Sequence, residues 1–347
     1  MSPEEIEVLV LVATALVFAL VFTAPATPRR AVLMRGGVGL AGAGAVVTVP
    51  TFELALFVVL ALGVLQAYIG GARSFALRLR PVATAVAMIA IALLLVRAQG
   101  PEVLDRFAAV GLAAGLAAAV GLLPYIHVFE PGEDVASSPL AWLGYLGPVL
   151  AVVFVARTQG VLGGEAWAAF GAILIGLGVL NVAWGGVAAW LATDDAAAWR
   201  YSFIADWGLA LCGFGLTVLD GRRATLLLLF GIAVCRLPLY LVWRQAKPQK
   251  SPTDRPVNLV VAAALAGSAP FAGFAARILL LRGATQLFWP LALVLALGML
   301  LWLPGSLRLG RSLGLPRGRQ AFGVAVVLVL NAAVGLYPLP LLAAGRL

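Results

Sequence analysis

The chain has 347 residues, is 63% hydrophobic and only 11% charged, and has a mean hydropathy of +1.04. A soluble domain carries about 25% charged residues, so this composition excludes one and describes a polytopic membrane protein. The formal net charge of +9 reads as arginine in loops on one side of a bilayer and gives no reason to expect a nucleic-acid partner.

Apolar runs of spanning length fall at 5–24, 31–50, 52–70, 81–98, 107–128, 139–157, 166–192, 201–218, 224–243, 257–282, 286–306 and 319–342. This predicts an all-α protein of about twelve transmembrane helices in a single domain over 1–347. Residues 1–106 form N-terminal helices, 107–282 a core and 283–347 C-terminal helices. Residues 1–24 have the length of a signal peptide. Their polar start is acidic (Glu4, Glu5, Glu7), so they read as a retained first helix.

Arginines and lysines follow the odd-numbered helices: Arg29 and Arg30; Arg73, Arg78 and Arg80; Arg244, Lys247, Lys250 and Arg255; Arg308, Arg311, Arg317 and Arg319. The positive-inside rule then places the N-terminus outside and these loops in the cytoplasm, with the chain in a cell inner membrane. The acidic loop Glu130–Asp134 falls on the same side, and acidic residues contribute little to orientation. The loop 244–256 is the one long polar linker, a candidate lipid-headgroup or cytoplasmic contact.

Two stretches predict broken helices. One runs through Leu123-Pro124-Tyr-Ile-His127 and the other through Gly267-Ser-Ala-Pro270-Phe-Ala-Gly273. Both combine small residues with a proline that lacks a backbone donor. A break at membrane depth is tolerated only against protein or a wet cavity, so it reads either as a packing kink or as part of an ion path. Leu303-Pro304-Gly305 reads as the end of the eleventh helix.

Ionisable residues inside spans are functional candidates by default. Asp206 lies about five residues into the eighth span and Arg236 about eight residues from the cytoplasmic end of the ninth. The two spans are joined by a short turn near Asp220–Arg223, so an Asp206–Arg236 ion pair is expected, as structural glue or as part of a proton path. Arg277, beyond the second break, is a fixed charge in a path or a side chain snorkelling to the outer interface. His127 is a titrating group or a helix-end hydrogen-bond partner. Asn181 and Asn331 read as interhelical hydrogen-bond donors. Trp142, Trp167, Trp199, Trp207 and Trp243 read as interfacial aromatics. Cys212 and Cys235 read as buried small hydrophobes, and a single histidine disfavours a metal site. No nucleophile–base pair, phosphate loop or haem ligand set is visible, so the chain is expected to hold no catalytic or redox centre and no cofactor.

Three segments in order resemble one family. Leu122-Leu-Pro-Tyr-Ile-His127 through Leu143 resembles its Pro-aromatic-His-x-Trp-Leu-Pro-Asp stretch. Asp194-Asp-Ala-Ala-Ala-Trp-Arg-Tyr201-Ser202 through Gly208 is similar to its Asp-x-Lys-Arg-x-x-Ala-Tyr-Ser-Ser segment. Ala264-Leu-Ala-Gly-Ser-Ala-Pro270-Phe-Ala-Gly273-Phe274-Ala-Ala-Arg277 is similar to its Ala-Gly-x-Pro-x-x-Gly-Phe-x-x-Lys segment. The family is the antiporter-like membrane subunits of respiratory complex I, multisubunit sodium/proton antiporters and membrane-bound hydrogenases. Such subunits usually have fourteen helices with the N-terminus outside. The resemblance therefore implies a member two N-terminal helices short.

It also implies what is missing. The family's early glutamate falls at about Ala61, its two lysines at Ala119 and within Val149–Ala151, its later histidine near Gly231 or Ile232, and its Lys-Arg pair at Ala196 and Ala197. Arg277 stands where lysine or glutamate is expected. A proton relay needs groups that gain and lose charge, and neither alanine nor arginine does so. The resemblance thus implies a membrane subunit of an energy-converting or ion-translocating assembly whose pumping residues are lost and whose role is structural or anchoring. Its partners would be other membrane subunits, possible soluble redox subunits and the bilayer. The alternatives are a working proton or sodium translocator using Asp206, Arg236, Arg277 and His127, and an independent small-molecule transporter.

Overall fold

The computed structural model describes residues 41–69, 75–98, 102–123, 147–245 and 255–343. His127, Pro124, Trp142, the Glu130–Asp134 loop and most of the 244–256 linker lie outside them. The described residues are helical, with no strand among them. In chain order they form α1 (41–48), α2 (Phe52–Ile69), α3 (Phe75–Arg97), α4 (Glu102–Ala119), α5 (Gly147–Val161), α6 (Gly164–Leu191) and α7 (Asp195–Gly215). Then come α8 (Leu219–Phe230, a π turn at Gly231–Arg236, and Leu237–Gln245), α9 (Pro256–Ala266) and α10 (Ala272–Leu287). The chain continues through α11 (Trp289–Ser312), α12 (Arg319–Leu336) and the short α13 (Leu339–Ala343).

By length and composition five helices are able to cross a membrane: Leu79–Arg97, Gly164–Leu191, Leu219–Arg244, Trp289–Ser312 and Arg319–Leu336. Leu180, Trp184 and Trp190 of α6 and Leu293, Leu297 and Leu300 of α11 face outward and are exposed. In water such faces would be a liability, whereas against lipid tails they are ordinary surface. The chain is a multi-pass membrane protein. α8 is its central helix: 83% of its spanning window is buried, against 22–39% for the other four.

Lipid-facing helices gain no hydrophobic drive from each other, so close backbone contact has to supply the attraction. α6 and α7 show how. Gly171, Gly178 and Gly185 recur every seven residues along α6, and Gly208 and Gly215 do the same along α7. A Cβ on Gly208 would lie 2.6 Å from Val182 N, and one on Gly171 would lie 2.7 Å from Gly215 O. The helices are antiparallel and touch along this whole seam. The Cys212 thiol donates to Ile175 O across it at 3.7 Å.

Four sequence expectations need correction. The helix of the fifth span is interrupted after Ala119, before the Pro124 at which the break was expected. Gly121 takes a left-handed φ of 77°, Leu122 N–H returns to Ala117 O at 2.8 Å and Gly121 N–H to Ala118 O at 3.1 Å. That is a Schellman ending, and glycine is the residue that makes it without strain. The eleventh helix does not stop at Leu303-Pro304-Gly305 but runs on to Ser312. Membrane helices tolerate an internal proline where neighbouring helices, Ser/Thr side chains or a local change of turn re-satisfy the freed backbone groups. Trp199 and Trp207 are not interfacial but fully buried. Trp199 packs at a tilt against Tyr240 and Trp243 in an aromatic cluster. Finally, the turn between α7 and α8 is 216–218, and Asp220 already lies in the first turn of α8.

The seam makes a direct prediction. Gly208→Val should overpack α6 against α7, at a cost of about 1–3 kcal/mol or more. A thermal-unfolding midpoint in detergent should fall by several degrees. Gly176→Ala, at a position with open space around it, should leave the midpoint unchanged.

A charged break at mid-helix depth

α9 ends where the sequence spells an ending. Gly267 adopts φ 63°, ψ 40°, Gly267 N–H returns to Ala264 O at 3.2 Å and Ser268 N–H to Ala263 O at 3.1 Å. The Ser268 hydroxyl adds a bond to Ala263 O at 2.8 Å. After Pro270 the chain turns back into helix at Ala272. The break leaves carbonyls on α9 and amides on α10 without helical partners, and side chains from three other helices meet them. Leu265 O accepts from Trp302 Nε1 of α11 at 3.0 Å and from Arg236 Nη2 of α8 at 3.2 Å. Ala272 N–H donates to Asn331 Oδ1 of α12 at 3.2 Å. A Cβ on Gly335, one turn on from Asn331, would lie 2.6 Å from Ala272 N, so α12 crosses directly over the break.

Arg236 is the hub. Its side chain is 3% exposed, and Asp206 of α7 meets it through Nη2 at 2.5 Å and Nε at 2.7 Å. The guanidinium also lies 5.0 Å from the Trp302 ring centroid, a cation–π distance. It therefore ties α7, α8, α9 and α11 together. The π turn Gly231–Arg236 places it there, since the wider turn rotates Arg236 away from the regular helical face of α8. The sequence expectation of an Asp206–Arg236 pair is met in geometry, but the depth differs. α7 begins at Asp195, so Asp206 lies near the middle of the helix and not five residues from its end.

Arg277 of α10 approaches the same place. A Cβ on Gly267 would lie 2.8 Å from Arg277 Cζ, so the guanidinium packs on bare backbone at the break. Gly267 is required for its φ, and the Arg277 guanidinium covers the bare backbone there. Asp206, Arg236, Arg277, Cys235 and Asn331 all line one cavity of about 30 Å³, together with Leu227, Leu228, Ala264 and Leu265. It has room for one or two waters. Two nitrogens here are buried without a hydrogen-bond partner, Arg236 Nη1 and Arg277 Nε.

The first break repeats the device. Beyond the Schellman ending at Gly121, Leu123 N–H donates to Asn181 Oδ1 of α6 at 3.0 Å, and Asn181 Nδ2 returns to Leu177 O at 2.8 Å. Asn181-Val-Ala-Trp-Gly185 and Asn331-Ala-Ala-Val-Gly335 share the spacing of asparagine and glycine. Both asparagines bridge helices, but as acceptors toward a broken helix rather than as the expected donors. A proline follows each left-handed glycine, Pro124 after Gly121 and Pro270 after Gly267.

Comparison with solved structures places this architecture. No protein-family model and no curated protein sequence matches the chain. A chain of the membrane-bound sulfane sulfur reductase, an archaeal respiratory membrane complex, superposes with TM-score 0.75 at 18% identity, covering 96% of this chain and 65% of its own. A chain of the Mrp complex from Dietzia sp. DQ12-45-1b gives TM-score 0.77 at 15% identity over 98% of this chain and 44% of its own. A chain of respiratory complex I from Thermus thermophilus, with bound aureothin, gives 0.73 at 20% identity over 99% and 87%. The chain has the antiporter-like membrane-subunit fold. It spans less than two thirds of the length of the first two of these chains.

Within the antiporter-like fold, the positions where the resemblance implies lysines are packed shut. Ala119, Leu150 and Ala151 are 0% exposed and Val149 is 1%. Ala61, where the resemblance implies a glutamate, is exposed on α2, so that carried-over register points out of the core. Gly231, near the implied histidine, begins the π turn. Three of the four site candidates thus converge, and the fourth, His127, lies outside the described residues. Trp302, the α12 crossing and the π turn were missed. The first two had a weak signal in Trp302 opposite a buried arginine and in the Asn-x-x-x-Gly repeat. The π turn had none.

Removing one partner of a buried pair strands the other charge, at about 3–5 kcal/mol. Asp206→Leu alone should therefore abolish folded expression or lower the unfolding midpoint sharply. Asp206→Leu combined with Arg236→Met should recover most of the loss, because neither member of the pair is then left without the other. A double variant as unstable as the single would show that the pair is not what holds these helices.

Proposed function

We propose that the chain is a membrane subunit of a multisubunit energy-converting or ion-translocating complex, in which it has lost the usual proton relay and serves a structural or anchoring role. The observation that carries this reading is the antiporter-like fold over nearly the whole chain, combined with alanine, valine and leucine packed at the positions where a relay would need lysine. A protonatable lysine inside a membrane has to meet water or a counter-charge. Ala119 and Val149–Ala151 are small or apolar and fully buried. The partners are other membrane subunits, and soluble redox subunits would supply any electron chemistry. The N-terminus faces outward in this reading, because the arginines then lie on the cytoplasmic side.

A second reading has one observation in its favour. Asp206, Arg236 and Arg277 gather at mid-helix depth around a polar cavity, as an active translocator with unusual groups would require. The walls of that cavity are leucine and alanine on several sides, and its volume holds one or two waters rather than a chain of them. The structural role therefore accounts for more of what is seen.

Gentle detergent extraction of the tagged chain from its native membrane, with mass spectrometry of what accompanies it, tests the proposal. Co-purification in fixed ratio with antiporter-like, hydrogenase-like or dehydrogenase-like subunits is the expected outcome. Recovery of the chain alone, as monomer or homo-oligomer, would overturn it in favour of an independent transporter.

A further inference from the structure

The charges at the break do not balance. Two guanidiniums, Arg236 and Arg277, line a cavity with one carboxylate, Asp206. Arg236 Nε and Nη2 both meet one oxygen of Asp206, Oδ2, and a single carboxylate balances only one of the two guanidiniums. Among the described residues Arg277 makes no ion pair, and its Nε is buried without a hydrogen-bond partner. Arg236, 3% exposed, also has a spare buried nitrogen, Nη1. An unpaired positive charge at this depth is costly unless something negative joins it. The backbone points the same way: Gly273, in the first turn of α10, lines the cavity, and a helix N-terminus presents free amides and a positive dipole end.

We propose that this cavity is a binding site for one small monovalent anion of chloride size, held between Arg236, Arg277 and the first turn of α10. About 30 Å³ has room for a halide-sized ion, and the single net positive charge of the lining matches one monovalent anion. Charge excludes a cation, because the lining is net positive. A water molecule would satisfy the spare donors but leave the charge of Arg277 uncompensated. Bound here, the anion acts as a fixed counter-ion that locks the break, joining α8 to α10 as Asp206 joins α7 to α8. The inference rests on the charges and the cavity of this chain and stands whether or not the chain belongs to a larger complex.

The test is thermal unfolding of the purified chain in detergent, with sodium chloride or bromide exchanged for sodium gluconate at constant ionic strength. The midpoint should rise saturably with either halide, as for a ligand that binds only the folded state. In Arg277→Gln the halide response should disappear, or its apparent affinity should fall about tenfold or more. The variant should also be no less stable than wild type in gluconate, because its unpaired charge is gone. Equal midpoints in chloride and gluconate for the wild type, or an unchanged response in Arg277→Gln, would overturn the proposal. Should the variant fail to fold, bromide-exchanged crystals of the wild type decide the matter. An anomalous peak between Arg236 and Arg277 is expected, and its absence would overturn the site.

Discussion

A guanidinium in the middle of a membrane protein needs a counter-charge, and this requirement fixes more of the present structure than any other single contact. Arg236 takes its carboxylate from α7, its carbonyl from the broken end of α9 and an aromatic face from α11. Each of those groups would be unsatisfied, or would pack differently, without it. α8 is therefore both the most buried span and the one that other helices are oriented against. The break at Gly267–Phe271 exists in low-dielectric surroundings only because α8, α11 and α12 each send one polar group to it. This is the membrane form of the rule that every buried backbone group finds a partner.

The two breaks are built alike, and that similarity bears on function. Each ends a helix with a left-handed glycine, is followed by proline, and presents an amide to an asparagine on a helix further along the chain. Repeated half-structures of this kind are a transport scaffold. In the proposed reading the scaffold is kept while the proton-carrying groups that the resemblance implies at Ala119 and Val149–Ala151 are lost. The fold and the backbone devices need glycine, proline and asparagine, whereas a relay needs lysine, glutamate and histidine. The two sets of residues are free to be lost separately.

Much of the fold was legible because lipid imposes a coarse code. Twenty apolar residues announce a span, and Gly-Ser-Ala-Pro announces the break at 267–271. The Asp206–Arg236 pair was legible for a related reason: charges are so rare in these spans that two on antiparallel neighbours have few other partners. What escaped depends on geometry that composition does not encode. Nothing in Gly231–Arg236 specifies a π turn, since its residues are ordinary helix formers and a glycine. Trp199 and Trp207 looked interfacial from their place near span ends, yet α7 begins at Asp195 and carries them inside. Pro304 looked like a stop, yet α11 continues. The glycines at 171, 178, 185, 208 and 215 did carry a readable spacing of seven, and it marks a closely packed helix pair among the described residues.

Proton flux into sealed proteoliposomes, driven by a potassium diffusion potential, bears most directly on the claim that this scaffold no longer conducts. The account predicts uptake indistinguishable from empty liposomes, both for the purified chain and for its Arg277→Gln variant. Uptake above that background, abolished by Arg277→Gln, would contradict it and would make the charged break an ion path after all.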